Sequence, residues 1–132
     1  MSISVKEVKL LSNIKIRNQM ANRVDIYKSV KQLILLPNSE FATTSQVAQY
    51  YEVNPDAIST IVKKHRAELV GDGYEVLKDE ELQLCKALTG LNSSSNALAI
   101  YPVKVITKIG LFLKHSVVAQ TIREQLLNPN NY

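Results

Sequence analysis

The stretch TTSQVAQYYEVNPDAISTIVKKHR, residues 43–66, holds two helical patterns separated by three residues. Thr43 stands three positions before Gln46, the spacing at which a hydroxyl and an amide close a capping box, so a helix is predicted to start there with Val47, Ala48 and Tyr51 on its inner face. Glu52, Val53 and Asn54 read as the turn. Asn54 is a favourable N-cap, and Pro55 takes the first helical position, where its missing N–H costs nothing. The second helix is predicted from Pro55 to about Leu69, with Ile58, Ile61, Val62, His65 and Leu69 inward and Ser59, Thr60, Lys63, Lys64 and Arg66 outward.

Two helices meeting through so short a turn need a small residue where their backbones approach and branched aliphatics where the second seats on the first. Ala48, Val53, Ile58 and Ile61 stand at those offsets. This is the helix-turn-helix arrangement, whose second helix can enter a DNA major groove about 12 Å wide. Glu52 is a departure, because the turn often requires a positive φ that favours glycine. Any two packed helices of an α-rich domain can share this spacing, so the functional reading leans on the outer face. Asp56, Ser59, Thr60 and Lys63 form a polar stripe able to donate to and accept from base edges, while Lys64 and Arg66 suit phosphates. Thr44, Ser45 and Asn54, at the starts of the two helices, complete the candidate set there. A run of exposed charge is equally a solvated face.

Upstream, Ile26, Val30, Leu33 and Ile34 predict a helix from Asp25 that Pro37 ends. Residues 1–23 read as a basic arm or helix, with Val5, Val8, Leu11 and Ile14 at broken helical spacing, and residues 24–132 as the domain proper. Ser39 to Ala42 reads as extended. Downstream, GDG at 71–73 breaks the helix, and Tyr74–Leu77 alternates like a strand. Asp79 is expected to cap a helix using Leu82, Cys85 and Leu88. Leu98–Tyr101 is a further strand. Pro102 opens a helix with Val105, Ile106, Ile109, Phe112 and Leu113, and Ser116 caps a last one with Val118, Ile122 and Leu126 on one side. The expected fold is mainly α with a small antiparallel β-sheet, a winged helix-turn-helix-like DNA-binding domain with additional C-terminal helices. Asn92, Ser93 and Ser94 in the Leu91–Ala97 loop would form the wing, meeting phosphates or the minor groove, unless that loop is a plain connector.

Composition bounds the rest. The chain has 132 residues, room for one domain with a real core, which should be aliphatic because there is no Trp and only two Phe. Net charge is +4, but residues 1–36 hold seven bases against Glu7 and Asp25, a surplus of +5 that leaves −1 for the other 96. A basic N-terminal third suits a polyanion or a solvated surface. Apolar runs such as Leu33–Leu36 are too short for a bilayer, and no signal peptide is visible, so no membrane partner is expected. A lone Cys85 points to an inert thiol in a reducing cytoplasm. His65 falls on the inner stripe and His115 in a loop, with no metal-binding spacing. The GDG turn lacks the Lys and Ser/Thr of a phosphate loop, and no nucleophile, base and orienting group can be assembled, so neither enzyme activity, cofactor nor metal is expected.

The segments LPNSEFATTSQVAQYYEVNPDAISTIVKKHRAEL (36–69), GYEVLKDEEL (73–82) and ALAIYPVKVITKIGLFLKHSVVAQTIREQLLN (97–128) resemble small DNA-binding regulators of bacteriophages and other mobile elements of Gram-positive bacteria, in the style of antirepressor and Rha-like phage proteins. The resemblance implies DNA binding by the exposed residues of Pro55–Arg66, with a helical module after it. The expectation is thus a double-stranded DNA binder acting as a phage or prophage transcriptional regulator, repressor or antirepressor. A homodimer is expected, because one reading helix spans few base pairs and paired half-sites lie about 34 Å apart. The alternatives are an adaptor that binds another regulatory protein and a DNA-binding replication or partition factor of a mobile element.

Overall fold

The computed structural model describes residues 12–127. In chain order it contains α1 (Ile14–Ala21), α2 (Val24–Val30), β1 (Phe41–Thr43), α3 (Thr44–Tyr51), α4 (Pro55–Lys64), α5 (Arg66–Gly71), β2 (Glu75–Lys78), α6 (Asp79–Thr89), β3 (Ala97–Pro102), α7 (Val103–Phe112) and α8 (Val117–Leu127). The chain is mainly helical, with one small open sheet in the order β1-β3-β2, all antiparallel. Phe41 faces Pro102 across one ladder, and Glu75 faces Ile100 across the other. The expected strands therefore form and pair as the sequence suggested. β2 and β3 are joined through α6 and the following loop rather than by a tight hairpin. Val5, Val8 and Leu11 of the proposed arm lie outside the described residues.

Local signals account for most element ends. Thr43 Oγ1 accepts from Gln46 N while Gln46 Oε1 accepts from Thr43 N, the capping box expected there. Asn54 Oδ1 accepts from Asp56 N, with Pro55 at the first helical position. Ser116 serves two helices at once: its Oγ accepts from Ala119 N to cap α8 and donates to Tyr51 O at 2.7 Å, satisfying a carbonyl at the end of α3. Gly90 closes α6 at φ +73.

Four readings are corrected. The helix expected to run to Pro37 ends at Val30, because Lys31 is extended and its ammonium donates to the carbonyls of Gln49 and Tyr50, tying the chain to the end of α3. Beyond it the period is two rather than 3.6: Leu33 and Leu35 pack on the core while Ile34 is 63% exposed. The single helix expected from Pro55 to Leu69 breaks at His65, whose φ of −118° and ψ of 29° separate α4 from α5. Asp79 is not a cap but the first residue of α6, behind Lys78, and Leu88 faces outward. The core is not purely aliphatic, because Tyr27, Tyr50, Tyr51, Tyr74 and Tyr101 are all buried in it.

α7 is the axis of that core: every residue from Val105 to Leu111 is buried. Tyr51 Oη donates to Ile106 O and Tyr27 Oη to Thr107 O, while Tyr50 Oη donates to Tyr27 O. Each phenol thus enters the interior with its donor satisfied. Burial pushes the Tyr50 and Tyr101 phenols up to about 12, so they remain donors throughout the ordinary pH range. Gly110 is required beneath Tyr51, since a Cβ there would lie 2.6 Å from Tyr51 Oη. Leu77, Leu82, Cys85 and Ile100 form a smaller cluster between α6 and the sheet, and Cys85 is a buried thiol.

Candidate functional site

α4 is held from behind and displayed in front. Ile58 and Val62 are its buried residues, with Ala57 and Ile61 partly buried at the edges of the core. The turn that sets its angle to α3 has Glu52 at φ 57°, ψ 46°, the left-handed conformation in which glycine is usual. The departure noted in the sequence is therefore accommodated at a small conformational cost.

Behind α4, the short α5 is pinned by a half-buried ion network. Arg17 Nε donates to Glu68 Oε2 at 3.0 Å, and Lys108 Nζ lies 3.0 Å from Glu68 Oε2 and 2.6 Å from Asp72 Oδ2. Lys104 reaches Asp72 Oδ1 at 3.4 Å. Lys108 is 1% exposed, so its charge is tolerable only because two carboxylates converge on it. Burial alone raises the Glu68 carboxyl, but hydrogen bonds from Arg17 and Lys108 outweigh it and hold its pKa below the ordinary value. Three helices, α1, α5 and α7, are thus locked together at the end of α4. Sequence reasoning missed this lock; its local signal is Lys108, which sits beside Ile109 in the mostly apolar VKVITKIGLF of α7.

The candidate residues fall on two flanks of α4. Thr44, Ser59, Lys63 and Arg66 come together around a notch of about 220 Å³ floored by Val62, Tyr74, Ala99 and Tyr101. There Thr44 Oγ1 donates to Tyr101 Oη at 2.9 Å, and the Arg66 guanidinium sits 5.9 Å from the Tyr74 ring centroid, held near the notch without an ion pair to another described residue. On the opposite flank Asp56, Thr60 and Lys64 edge a larger groove of about 860 Å³ that runs to the α7–α8 connection. Thr60 Oγ1 donates to Asp56 O, so its hydroxyl proton is already committed and only its lone pairs face outward. Asp56, Ser59, Thr60, Lys63, Lys64 and Arg66 are all exposed, as are Ser45 and Asn54, although the Asn54 side-chain oxygen is engaged in its cap.

Asn92, Ser93 and Ser94 border neither cavity. Ser93 Oγ accepts from Ser95 N and Ser95 Oγ donates to Ala97 O, so this loop is braced by its own hydroxyls. The basic N-terminal third is also partly engaged: Arg17 pairs with Glu68, Arg23 with Asp25 and Lys31 with Glu52, while Lys15 and Lys28 stay exposed. Among the described residues there is no cluster of His, Cys, Asp and Glu suited to a metal, and no helix long and apolar enough to cross a membrane. No protein-family model, characterised protein or solved structure matches the chain.

Proposed function

We propose that the chain is a sequence-specific double-stranded DNA-binding protein that lays α4 in the major groove, acting as a transcriptional regulator of the phage or prophage type. The carrying observation is α4 itself: one side seats Ile58 and Val62 in the core while Asp56, Ser59, Thr60, Lys63 and Lys64 stand free on the other. A succession of helix, strand, three helices, strand, helix and strand in the sheet order β1-β3-β2 supports a winged helix-turn-helix topology in which α5 extends the helix pair and α6 and the Leu91–Asn96 loop expand the wing. In this reading Ser59 reads a base edge, with Thr60 as an acceptor. Thr44, Lys63 and Arg66 around the notch take a phosphate, and Lys64 a second on the far flank. Dimerisation across a palindrome uses α6, which leaves Leu84 and Leu88 62% and 59% exposed one turn apart, whereas the apolar side of α8 is covered by its own core.

A mobility-shift titration against fragments from the surrounding genome tests this. Each phosphate-neutralising side chain adds about 0.9 to the slope of log affinity against log salt. Lys63→Ala with Lys64→Ala should flatten that slope by about 2 while leaving the fold intact. An unchanged slope, or no shift at low salt together with a recovered protein partner, would favour the adaptor reading.

A further inference from the structure

The larger groove beside α4 has the makeup of a ligand site. Its volume of about 860 Å³ falls within the range of roughly 300–1,000 Å³ typical of small-molecule sites. Val53, Ala57 and Ile61 line one wall and Leu111, Phe112 and Leu113 the other, so the interior is mainly apolar. The His65 ring lies flat on Phe112, 3.8 Å between centroids and 8° between planes, and gives it a rigid aromatic surface. Charge around the opening is predominantly positive: Asp56 at the start of α4 is the one carboxylate among the described lining residues, against Lys64 two turns on and Lys114 on the facing connection, with His115 beside it. Among the described residues Lys64, Lys114 and His115 have no ion-pair or side-chain hydrogen-bond partner, while Arg17, which also borders the groove, is occupied by Glu68.

We infer that this groove binds a small organic carboxylate with an apolar body. The body lies between α4 and the Leu111–Leu113 connection, and the carboxylate meets the Lys64 and Lys114 ammoniums. Apolar walls supply the favourable burial, and the paired cations supply the preference for an anion over a neutral molecule of the same shape. The site does not depend on DNA binding, since α4 forms one wall whatever it reads. Where α4 does read DNA, the same occupant engages Lys64 and flanks Thr60, and so competes with it.

Decanoate is the probe, with 1-decanol as the neutral control, followed by calorimetry and amide chemical shifts on the DNA-free protein. Saturable 1:1 binding of decanoate is expected, at least tenfold tighter than 1-decanol, with shifts at Ala57, Ile61, Leu113 and His115. Lys64→Glu with Lys114→Glu should weaken decanoate by about tenfold or more and leave 1-decanol unchanged; both positions are exposed, so the fold survives. Ala57→Phe, checked for folding by circular dichroism, should abolish binding. Equal affinity for the acid and the alcohol, or no saturable shift at millimolar concentration, overturns the inference. So does a dimer in sedimentation that Ala57→Phe dissociates, for then a second copy occupies the groove. Because none of these readouts contains DNA, a failed mobility shift leaves the result standing.

Discussion

α4 and α7 are both ten residues long, and they divide the work of the molecule between them. α7 buries everything from Val105 to Leu111, even a threonine and a lysine, and takes hydrogen bonds from two tyrosines on its carbonyls. α4 buries Ile58 and Val62, half-buries Ala57 and Ile61, and displays the rest. Burial on all sides makes a helix the frame of the domain, where a change of one atom is felt. Burial on one side leaves a surface whose side chains can change with little effect on the fold, and that is the property a recognition element needs.

The largest test of that contrast substitutes one lysine on each helix. Lys108→Met leaves Glu68 and Asp72 facing a buried site without its cation, and should cost about 3 kcal/mol of unfolding free energy. Lys64→Met removes an exposed cation and should stay within about 0.5 kcal/mol. Urea denaturation of the two variants measures the difference, and equal midpoints would erase the contrast. Gly110→Ala follows. The new methyl meets Tyr51, which is fully buried and tethered to Ile106 O and cannot swing aside. Overpacking costs typically 1–3 kcal/mol, against a helix-propensity gain of up to about 1 kcal/mol, so a net loss of about 1–2 kcal/mol is expected. Ser59→Ala on α4 should be near neutral by the same measurement.

What was legible in the sequence follows how far apart the interacting residues are. The Thr43–Gln46 box, the Asn54–Pro55 start and the Ser116 cap are agreements among residues within four positions, and all were readable. The inward set of Ile58, Val62 and Leu69 follows from a 3.6-residue period and was also readable. The Arg17–Glu68–Lys108 lock was not, because its partners are 51 and 40 positions apart and only tertiary packing makes a buried lysine tolerable. Residues 31–36 misled for the same reason. Their apolar spacing fits a helix, but the tether from Lys31 to the end of α3 overrides local preference. The exposed stripe of α4 was legible as a surface; the ligand groove was not, because its far wall comes from Leu111–His115.

A pH series asks whether the junction behind α4 is electrostatically weaker than the α7 core. The His65 pKa is lowered, first by burial and then by Lys64 and Arg17, against the opposing pull of Glu68. The unfolded chain therefore binds more protons below the reference value of 6.5, and stability falls as pH drops from there through the depressed folded value. Glu68 has the same sign: its contribution is present above 4.5 and is lost as pH falls through its lowered folded pKa. Unfolding free energy should be level from neutrality up to the ordinary tyrosine value of 10.0, above which the buried phenols begin to cost stability, and decline in two steps on acidification. His65→Phe keeps a ring against Phe112 and should remove the first step alone; a variant that retains it would assign that step to another group.

The smallest effect belongs to the turn between α3 and α4. Glu52 holds φ 57°, a conformation that costs a residue with a Cβ about 1–2 kcal/mol relative to glycine. Glycine forfeits part of that advantage through the greater freedom of its unfolded chain, about 0.5–1 kcal/mol. The Glu52 carboxylate meets Lys31 at 3.7 Å, but with 67% of its side chain exposed this pair contributes little. Glu52→Gly should therefore stabilise the domain by about 0.5 kcal/mol, read as a slightly higher urea midpoint with an unchanged denaturant slope. Because the substitution relieves the turn without moving α4, the mobility-shift titration proposed above should read the same for this variant as for the parent chain. A variant that gains stability and loses DNA affinity would mean instead that the carboxylate at this turn takes part in setting how α4 meets its partner.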